Sequence, residues 1–224
     1  MRNTELSILV VVPMFLAVIS ATAFAEPPTP PPLPSGFNEF ILSDQHKNAV
    51  LDIAKKTQSQ IQGTCQTLGL SFTGKFAVFV PIQMGENGLP TSGIWKELVS
   101  ATGCKESYFF NVLAVIDASH ALSMVPLIPG DGLADPYLIR DAKPMVLQAV
   151  GLKKAGCDQK QVIRTKFEEY LGDPIPTARN GPNSRRWAET WKVWACGDIF
   201  DIAIIFTPNE KGTGFMIPSQ IKPN

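Results

Sequence analysis

The chain has few of the residues on which catalytic and metal sites most often depend. It contains two histidines and four cysteines in 224 residues. Neither histidine lies near a cysteine at metal-ligand spacing, and no two cysteines have the short spacing of a redox pair. Gly130-Asp131-Gly132 and Gly212-Thr213-Gly214 do not continue into a phosphate-binding pattern. The sequence therefore predicts no metal ion and no cofactor.

The chain also lacks net charge and a second long apolar stretch. Its 20 basic and 20 acidic residues cancel at pH 7. A neutral protein has no general electrostatic attraction for nucleic acid or for an anionic membrane. After the first 25 residues no apolar stretch is long enough to cross a bilayer. We expect no nucleic-acid partner and no membrane span once the leader is removed.

The N-terminus has the pattern of a secretory signal peptide. Arg2 gives a positive start, residues 6–19 are apolar, and Ala23-Phe24-Ala25 offers small residues at a cleavage site. The apolar stretch is shorter than the about 20 residues of a membrane-spanning helix, although an uncleaved anchor is the alternative. Residues 1–25 are predicted to be a signal peptide, which places the mature chain in the periplasm or outside the cell.

A proline-rich segment follows the signal. Residues 26–34 read Glu-Pro-Pro-Thr-Pro-Pro-Pro-Leu-Pro, which cannot form a helix or a strand ladder. Such a segment is extended and stiff. We interpret residues 26–39 as a spacer, with a ligand for a proline-binding groove as the alternative.

One cysteine spacing occurs twice. Cys65 and Cys104 are 39 positions apart, as are Cys157 and Cys196, and the two pairs are offset by 92 positions. The same offset carries other residues onto identical ones: Thr73 onto Thr165, Pro90 onto Pro182, Ser92 onto Ser184, Trp95 onto Trp187, and Glu97 onto Glu189. An even cysteine count in an exported chain indicates disulfides. The duplication selects the pairings Cys65–Cys104 and Cys157–Cys196, because loop entropy alone does not choose among the three possibilities.

The predicted fold is α+β, with two tandem pseudo-symmetric helix-strand-strand-strand units that each carry one disulfide. Residues 40–126 form the first unit and residues 127–224 the second, packed together as one globular body. In the first unit a helix begins at Ser43-Asp44 and ends at Gly63. Residues 72–82 are apolar on both faces and are predicted to be a central strand.

The second unit is predicted to follow the same plan with changes. Pro144 interrupts its helix, so we expect a kink or two short helices. Residues 162–171 are more polar than residues 72–82 and suit an edge strand or a solvent-facing strand. Residues 187–207 close the unit as a hairpin around Ala195-Cys196-Gly197.

Two glutamates are candidates for a paired-carboxylate site. Glu97 and Glu189 each follow a tryptophan by two positions, and a pseudo-twofold axis could bring them together. An exported hydrolase of this kind needs its carboxyl groups within about 5–10 Å of each other. The alternative is a structural role, as a solvent-facing charge or in a salt bridge to a neighbouring strand, although residues two apart share a face and Glu97 should therefore lie beside Trp95.

The other candidates are weaker. The sequence has one cluster of basic and aromatic residues, which comprises Arg179, Arg185, Arg186, Trp187, Trp191 and Trp194. This cluster could bind an anion, a glycan or a protein. Alternatively, its tryptophans could fill a small core. His46 is expected at the surface of the first helix turn. Asp117, Ser119 and His120 are too close in sequence to converge as a triad, so an ordinary strand end is expected there.

The C-terminal half resembles a group of small exported bacterial proteins of unassigned function. Residues 187–197 (Trp-Ala-Glu-Thr-Trp-Lys-Val-Trp-Ala-Cys-Gly), with the apolar residues 199–208, carry the resemblance. Residues 133–141 (Leu-Ala-Asp-Pro-Tyr-Leu-Ile-Arg-Asp) are similar to another stretch of that group. The resemblance implies export from a bacterial cell and no particular activity.

The sequence thus favours a non-catalytic binding or interaction module over an enzyme. Its partner would be another exported or envelope protein, and the groove between the two units would be the site. The hydrolase using Glu97 and Glu189 is the alternative from a different class. A thiol-redox protein is a third hypothesis, which requires a labile disulfide.

Overall fold

The protein is α+β and mostly sheet. The computed structural model describes residues 32–62, 69–103, 107–176, 178, 184–218 and 221–223. The helices in these residues are α1 (Phe37–Leu42), α2 (Asp44–Gln60) and α3 (Pro136–Lys153). The strands are β1 (Gly69–Met84), β2 (Pro90–Thr102), β3 (Tyr108–Ile116), β4 (Leu122–Pro126), β5 (Lys160–Leu171), β6 (Arg186–Ala195), β7 (Asp198–Asn209), β8 (Gly212–Met216) and β9 (Ile221–Pro223). None of the described helices is long and apolar enough to cross a membrane.

The strands form two antiparallel sheets. The first sheet has the order β1-β2-β3-β4, and the second has the order β5-β6-β7-β8 with β9 also paired to β7. Three strands per unit were predicted, but each sheet has a further short strand, β4 after β3 in the first sheet and β8 after β7 in the second. Both β4 and β8 have five residues, too few to show a clear alternation of apolar and polar side chains.

The central hairpins of the two sheets share one register. In the first, Trp95 lies opposite Ala114 and Glu97 opposite Val112. In the second, Trp187 lies opposite Phe206 and Glu189 opposite Ile204. Each residue of these pairs in the second hairpin lies 92 positions beyond its counterpart in the first hairpin, which is also the offset between the cysteine pairs.

One face of each sheet is covered by helices. Alternate β2 residues from Trp95 to Ala101 are buried beneath α1 and α2, as expected for a strand with one core face. Alternate residues of β6 from Trp187 to Ala195 are buried in the same way in the α3 core. The helices contribute residues at helical spacing: Val50 and Ala54 from α2, and Ala142, Val146 and Val150 from α3.

The segment between β4 and α3 joins the two sheets. On one side, the Gly130 N–H donates to the Phe109 carbonyl at 2.7 Å, and the Asn111 side-chain amide donates to the Gly130 carbonyl at 3.0 Å. On the other side, the Thr165 N–H of β5 donates to the Pro129 carbonyl at 2.8 Å. A Cβ at residue 130 would come within 1.8 Å of the Thr165 carbonyl oxygen, so only glycine fits at this crossing.

The second predicted disulfide is present. Cys157 and Cys196 are bonded, with their Cα atoms 5.9 Å apart. The bond joins the chain just after α3 to the turn between β6 and β7. Cys65 and Cys104, the other predicted pair, lie outside the described residues.

The prediction for residues 72–82 was wrong about their environment. They lie in β1, which is an edge strand paired only with β2. Residues 77–81 are exposed although all five are apolar. Their lack of alternation therefore arises from an open apolar surface and not from burial on both faces. The more polar β5 is also an edge strand, as predicted.

Pro144 lies inside α3, which is a single helix, so the expectation of two short helices was wrong. The alternative expectation of a kink stays a prediction. The missing N–H would have bonded to the carbonyl of Arg140, four residues earlier. Because Pro144 and Arg140 are both exposed, water can satisfy that carbonyl, and the helix continues.

Removing the Cys157–Cys196 disulfide should destabilise the protein without changing its fold. Replacing both cysteines by alanine should lower the free energy of unfolding by about 2–4 kcal/mol, because the unfolded chain gains the freedom of the open loop. Urea unfolding followed by tryptophan fluorescence measures this loss. The matched control replaces Cys65 and Cys104 instead. A loss of similar size there supports the predicted Cys65–Cys104 pairing, whereas an unchanged midpoint in both double variants contradicts a fold stabilised by the two disulfides.

Candidate functional site

Glu97 and Glu189 are buried, each beside its own tryptophan. Both side chains are only 1% exposed. The Trp95 indole N–H donates to Glu97 Oε1 at 2.7 Å, and the Trp187 indole N–H donates to Glu189 Oε1 at 2.8 Å. Residues two apart on a strand share a face, so both glutamates follow their tryptophans into the core. The expectation of solvent-facing charges at these positions was wrong.

Glu189 is fully supplied with hydrogen-bond donors. Besides Trp187, the backbone N–H groups of Leu133 and Ala134 donate to Oε1 at 2.7 and 2.9 Å. The Trp191 indole N–H donates to Oε2 at 2.8 Å. Four donors compensate for the loss of hydration of a buried carboxylate. Glu189 thus anchors the segment before α3 to the centre of the second sheet.

Lys96 brings a positive charge from the first sheet toward this anchor. Burial lowers the pKa of the Lys96 ammonium, and the nearby carboxylate of Glu189 partly offsets that shift. Lys96 lies on β2, on the face opposite Trp95 and Glu97. Ile94, two residues earlier on the same face, lines a cavity together with Pro136 and Tyr137 of α3, so this face of the first sheet meets the second unit.

Glu97 has fewer donors than Glu189. Its Oε1 accepts from Trp95 and also from His46 Nε2 at 2.7 Å, while its Oε2 is buried without a hydrogen-bond partner in the described structure. His46 is only 4% exposed, so the prediction that it lies on the surface was wrong. Helix α2 begins at the N-cap Ser43, whose side chain accepts the N–H of His46, and this start turns His46 toward β2.

The two glutamates belong to separate networks. Glu97 is held by Trp95 and His46, and Glu189 by Trp187, Trp191 and the backbone before α3. A hydrolase needs both carboxyl groups in one cleft that water and substrate can enter. Two carboxylates with no shared partner and almost no exposure do not provide that cleft. Their geometry fits structural anchors.

The basic-aromatic cluster is divided between the core and the surface. Trp191 is fully buried and Trp187 is 8% exposed, both in the α3 core. Trp194 packs on the opposite side, against the α2 core. Arg185 and Arg186 are exposed, and Arg179 lies outside the described residues. The buried tryptophans cannot offer a stacking platform beside the arginines.

Both histidines of the chain line one cavity, which we call the histidine pocket. It has a volume of about 330 Å³ and lies between the start of α2 and the β3–β4 turn. Its walls are mainly apolar and consist of Phe40, Ala49, Leu89, Pro90, Ile116, Leu122 and Met124, with Ser43, Gln45, His46 and His120 as the polar members. Within the described ranges no group of three or more His, Cys, Asp and Glu side chains is placed to hold a metal ion.

A tight turn holds His120 in the histidine pocket. Asp117 Oδ1 accepts the Ser119 N–H at 2.8 Å, the Ser119 hydroxyl at 2.6 Å and the Ala121 N–H at 3.1 Å. His120 has a φ of 63° and places its Nδ1 2.7 Å from the Thr91 carbonyl oxygen. Asp117 and Ser119 therefore shape the turn and do not form a triad with His120.

A second concave surface lies where the two units meet, and we call it the inter-unit groove. It has a volume of about 450 Å³. The first unit contributes Phe79, Val80, Ile94, Leu113 and Val115, and the second contributes Asp135, Pro136, Tyr137 and Arg140. Val80 pairs with Ile94, and Ile94 with Val115, so an apolar row crosses three strands on the face opposite α1 and α2.

No protein-family model matches this chain, and neither a curated protein nor a solved structure is significantly similar to it. The geometry of the histidine pocket, of the inter-unit groove and of the buried glutamates is therefore the basis for inferring a function.

The two glutamates should differ in their sensitivity to the same substitution. In Glu189→Gln the amide N–H₂ must face an N–H donor, so we expect the free energy of unfolding to fall by about 3 kcal/mol. In Glu97→Gln the amide nitrogen can occupy the place of the unpartnered Oε2, so the loss should be about 1 kcal/mol or less. Urea unfolding of both variants measures the difference. Equal losses would contradict the assignment of Glu189 as the better-satisfied anchor.

Proposed function

We propose that this protein is an exported, non-catalytic interaction module whose inter-unit groove binds an extended, proline-containing segment of another exported protein. The observation that carries the proposal is the open apolar row on the first sheet. Val80 is 42% exposed, Phe79 beside it is 37% exposed, and Tyr137 on the opposite wall is 62% exposed. Apolar side chains gathered in a concave surface are typical of protein interaction sites.

The corresponding positions of the second sheet support this proposal. At an offset of 92, Ile94 corresponds to Arg186 and Val115 to Thr207. The central hairpins have the same register, so the fold itself does not require apolar residues at these two positions. On the outer strands Val80 pairs with Ile94, and the apolar Leu171 pairs with Arg186. A row that is apolar on all three strands is therefore found in the first sheet and not at the paired positions of the second, which is expected if it serves to bind a partner.

The proline-rich segment of the chain indicates what kind of partner this surface accepts. Phe79 also lines a neighbouring groove of about 770 Å³ together with Pro32, Leu33 and Pro34. The exposed apolar part of β1 therefore already lies beside an extended proline-containing chain. Polyproline segments lose little conformational entropy on binding and dock against aromatic side chains, as Tyr137 would allow.

The disulfide and the shared register of the sheets bear on the compartment of the protein and on the origin of its two units. The Cys157–Cys196 disulfide is what an oxidising compartment permits, and the signal-like N-terminus suits the same destination. The shared register and the paired Trp-x-Glu contacts support descent of both units from one ancestral unit, with Cys65 paired to Cys104. Cys157 is 4% exposed and Cys196 is exposed, so the burial of Cys157 and the lack of a short cysteine spacing are what favour a structural bond over the thiol-redox alternative.

A labelled peptide can test the groove directly. The probe is a fluorescein-labelled peptide with the sequence of residues 26–35, Glu-Pro-Pro-Thr-Pro-Pro-Pro-Leu-Pro-Ser. Fluorescence polarisation should show saturable binding to the mature chain. Tyr137→Ala should weaken this binding by about tenfold, because an exposed tyrosine is a frequent binding hot spot.

Leu152→Ala is the matched control for this measurement. Leu152 is 81% exposed and lies on the same helix as Tyr137, but it does not line the inter-unit groove. This variant should bind the peptide like the parent protein. Absence of binding to the parent protein, or equal weakening in both variants, would overturn the proposal.

A further inference from the structure

We propose that the histidine pocket is a second binding site, which takes a small apolar molecule carrying a hydroxyl donor, such as an alkylphenol. This site is separate from the inter-unit groove. Ile116 lines the pocket, whereas its neighbour Val115 lines the groove. Adjacent residues of a strand point to opposite faces, so the two sites lie on opposite sides of the first sheet.

His46 uses one of its two ring nitrogens in a contact with the core. Glu97 Oε1 receives the Trp95 indole N–H and lies 2.7 Å from His46 Nε2. A carboxylate oxygen accepts hydrogen bonds, so Nε2 carries a hydrogen in this contact. Nδ1 has no hydrogen-bond partner among the described residues. His46 is thus held by Glu97 through Nε2 and forms a fixed part of the pocket wall.

The contacts of His120 determine which of its nitrogens can accept a hydrogen bond. Nδ1 lies 2.7 Å from the Thr91 carbonyl oxygen, which only accepts, so Nδ1 carries a hydrogen and the lone pair of the uncharged ring is on Nε2. The left-handed backbone of His120, with a φ of 63°, would be easier for glycine to adopt. A histidine held there by the Asp117 turn is consistent with a role for its side chain in binding.

The acceptor nitrogen of His120 defines the chemistry of the ligand. An acceptor on a pocket wall favours a ligand that donates one hydrogen bond, and the mainly apolar walls favour an apolar body. A carboxylate has no donor for this nitrogen. A hydrocarbon would leave His120 Nε2 without a partner. An aromatic ring with a hydroxyl and a short alkyl chain suits both the walls and the volume of about 330 Å³.

The test compares two probes that differ by one hydroxyl, 4-propylphenol and propylbenzene. Their affinities for the mature chain are measured by titration under the same conditions. The phenol should bind about tenfold more tightly, which corresponds to one hydrogen bond formed in a partly dehydrated site. Equal affinities, or no binding of the phenol up to its solubility limit, would overturn the proposal.

A variant of His120 identifies the acceptor. His120→Gly keeps the left-handed backbone of the turn and removes the ring, so the protein should fold normally and lose most of its preference for the phenol. Long-range ¹⁵N–¹H NMR of the parent protein should show a shift of His120 Nε2 with 4-propylphenol but not with propylbenzene. An unchanged preference in the variant, or no shift of this nitrogen, would reject the assignment.

Tyr137→Ala distinguishes this site from the inter-unit groove. Because Tyr137 lines the groove and not the histidine pocket, the variant should bind 4-propylphenol as the parent protein does. Weaker phenol binding in Tyr137→Ala would place the probe in the groove and would contradict a separate site at His120.

Discussion

The structure depends on the burial of one carboxylate at the centre of each sheet. A buried carboxylate is tolerated only when donors replace its lost hydration, and each glutamate finds its first donor in the tryptophan two residues earlier on the same strand. The remaining donors come from elsewhere in the chain. Glu97 draws in the start of α2 through His46, and Glu189 draws in the backbone before α3. The tryptophan–glutamate pair of each sheet therefore fixes the position of a further segment, which is the start of α2 in the first unit and the segment before α3 in the second.

Much of the fold could be predicted because its signals are local or repeated. The α+β class, the edge position of β5, the hairpin around Cys196 and the Cys157–Cys196 bond all follow from patterns within a few residues or from the offset of 92. The environment of β1 could not be predicted in the same way. Apolar residues on both faces of a strand indicate either deep burial or an exposed binding surface, and sequence pattern alone does not separate these cases.

The candidate sites were harder to predict because they are made by distant contacts. His46 meets Glu97 across 51 positions of sequence. His46 and His120 line one pocket only because α2 covers the hairpin that ends in the His120 turn. The rarity of histidine in this chain was visible from composition, but that rarity carries no information about which histidines converge. Considered separately, each one has the pattern of an ordinary helix start or strand end.

The segment that crosses between the sheets has a consequence for how a partner would enter the inter-unit groove. Its backbone is hydrogen-bonded to β3 on one side and to β5 on the other, and Gly130 brings it into direct contact with Thr165. A hinge movement of one sheet against the other would have to break these bonds. The groove is therefore preformed, so binding of a partner there would cost little reorganisation of the protein, and the rate of association would be governed by how often an incoming segment arrives in the correct orientation.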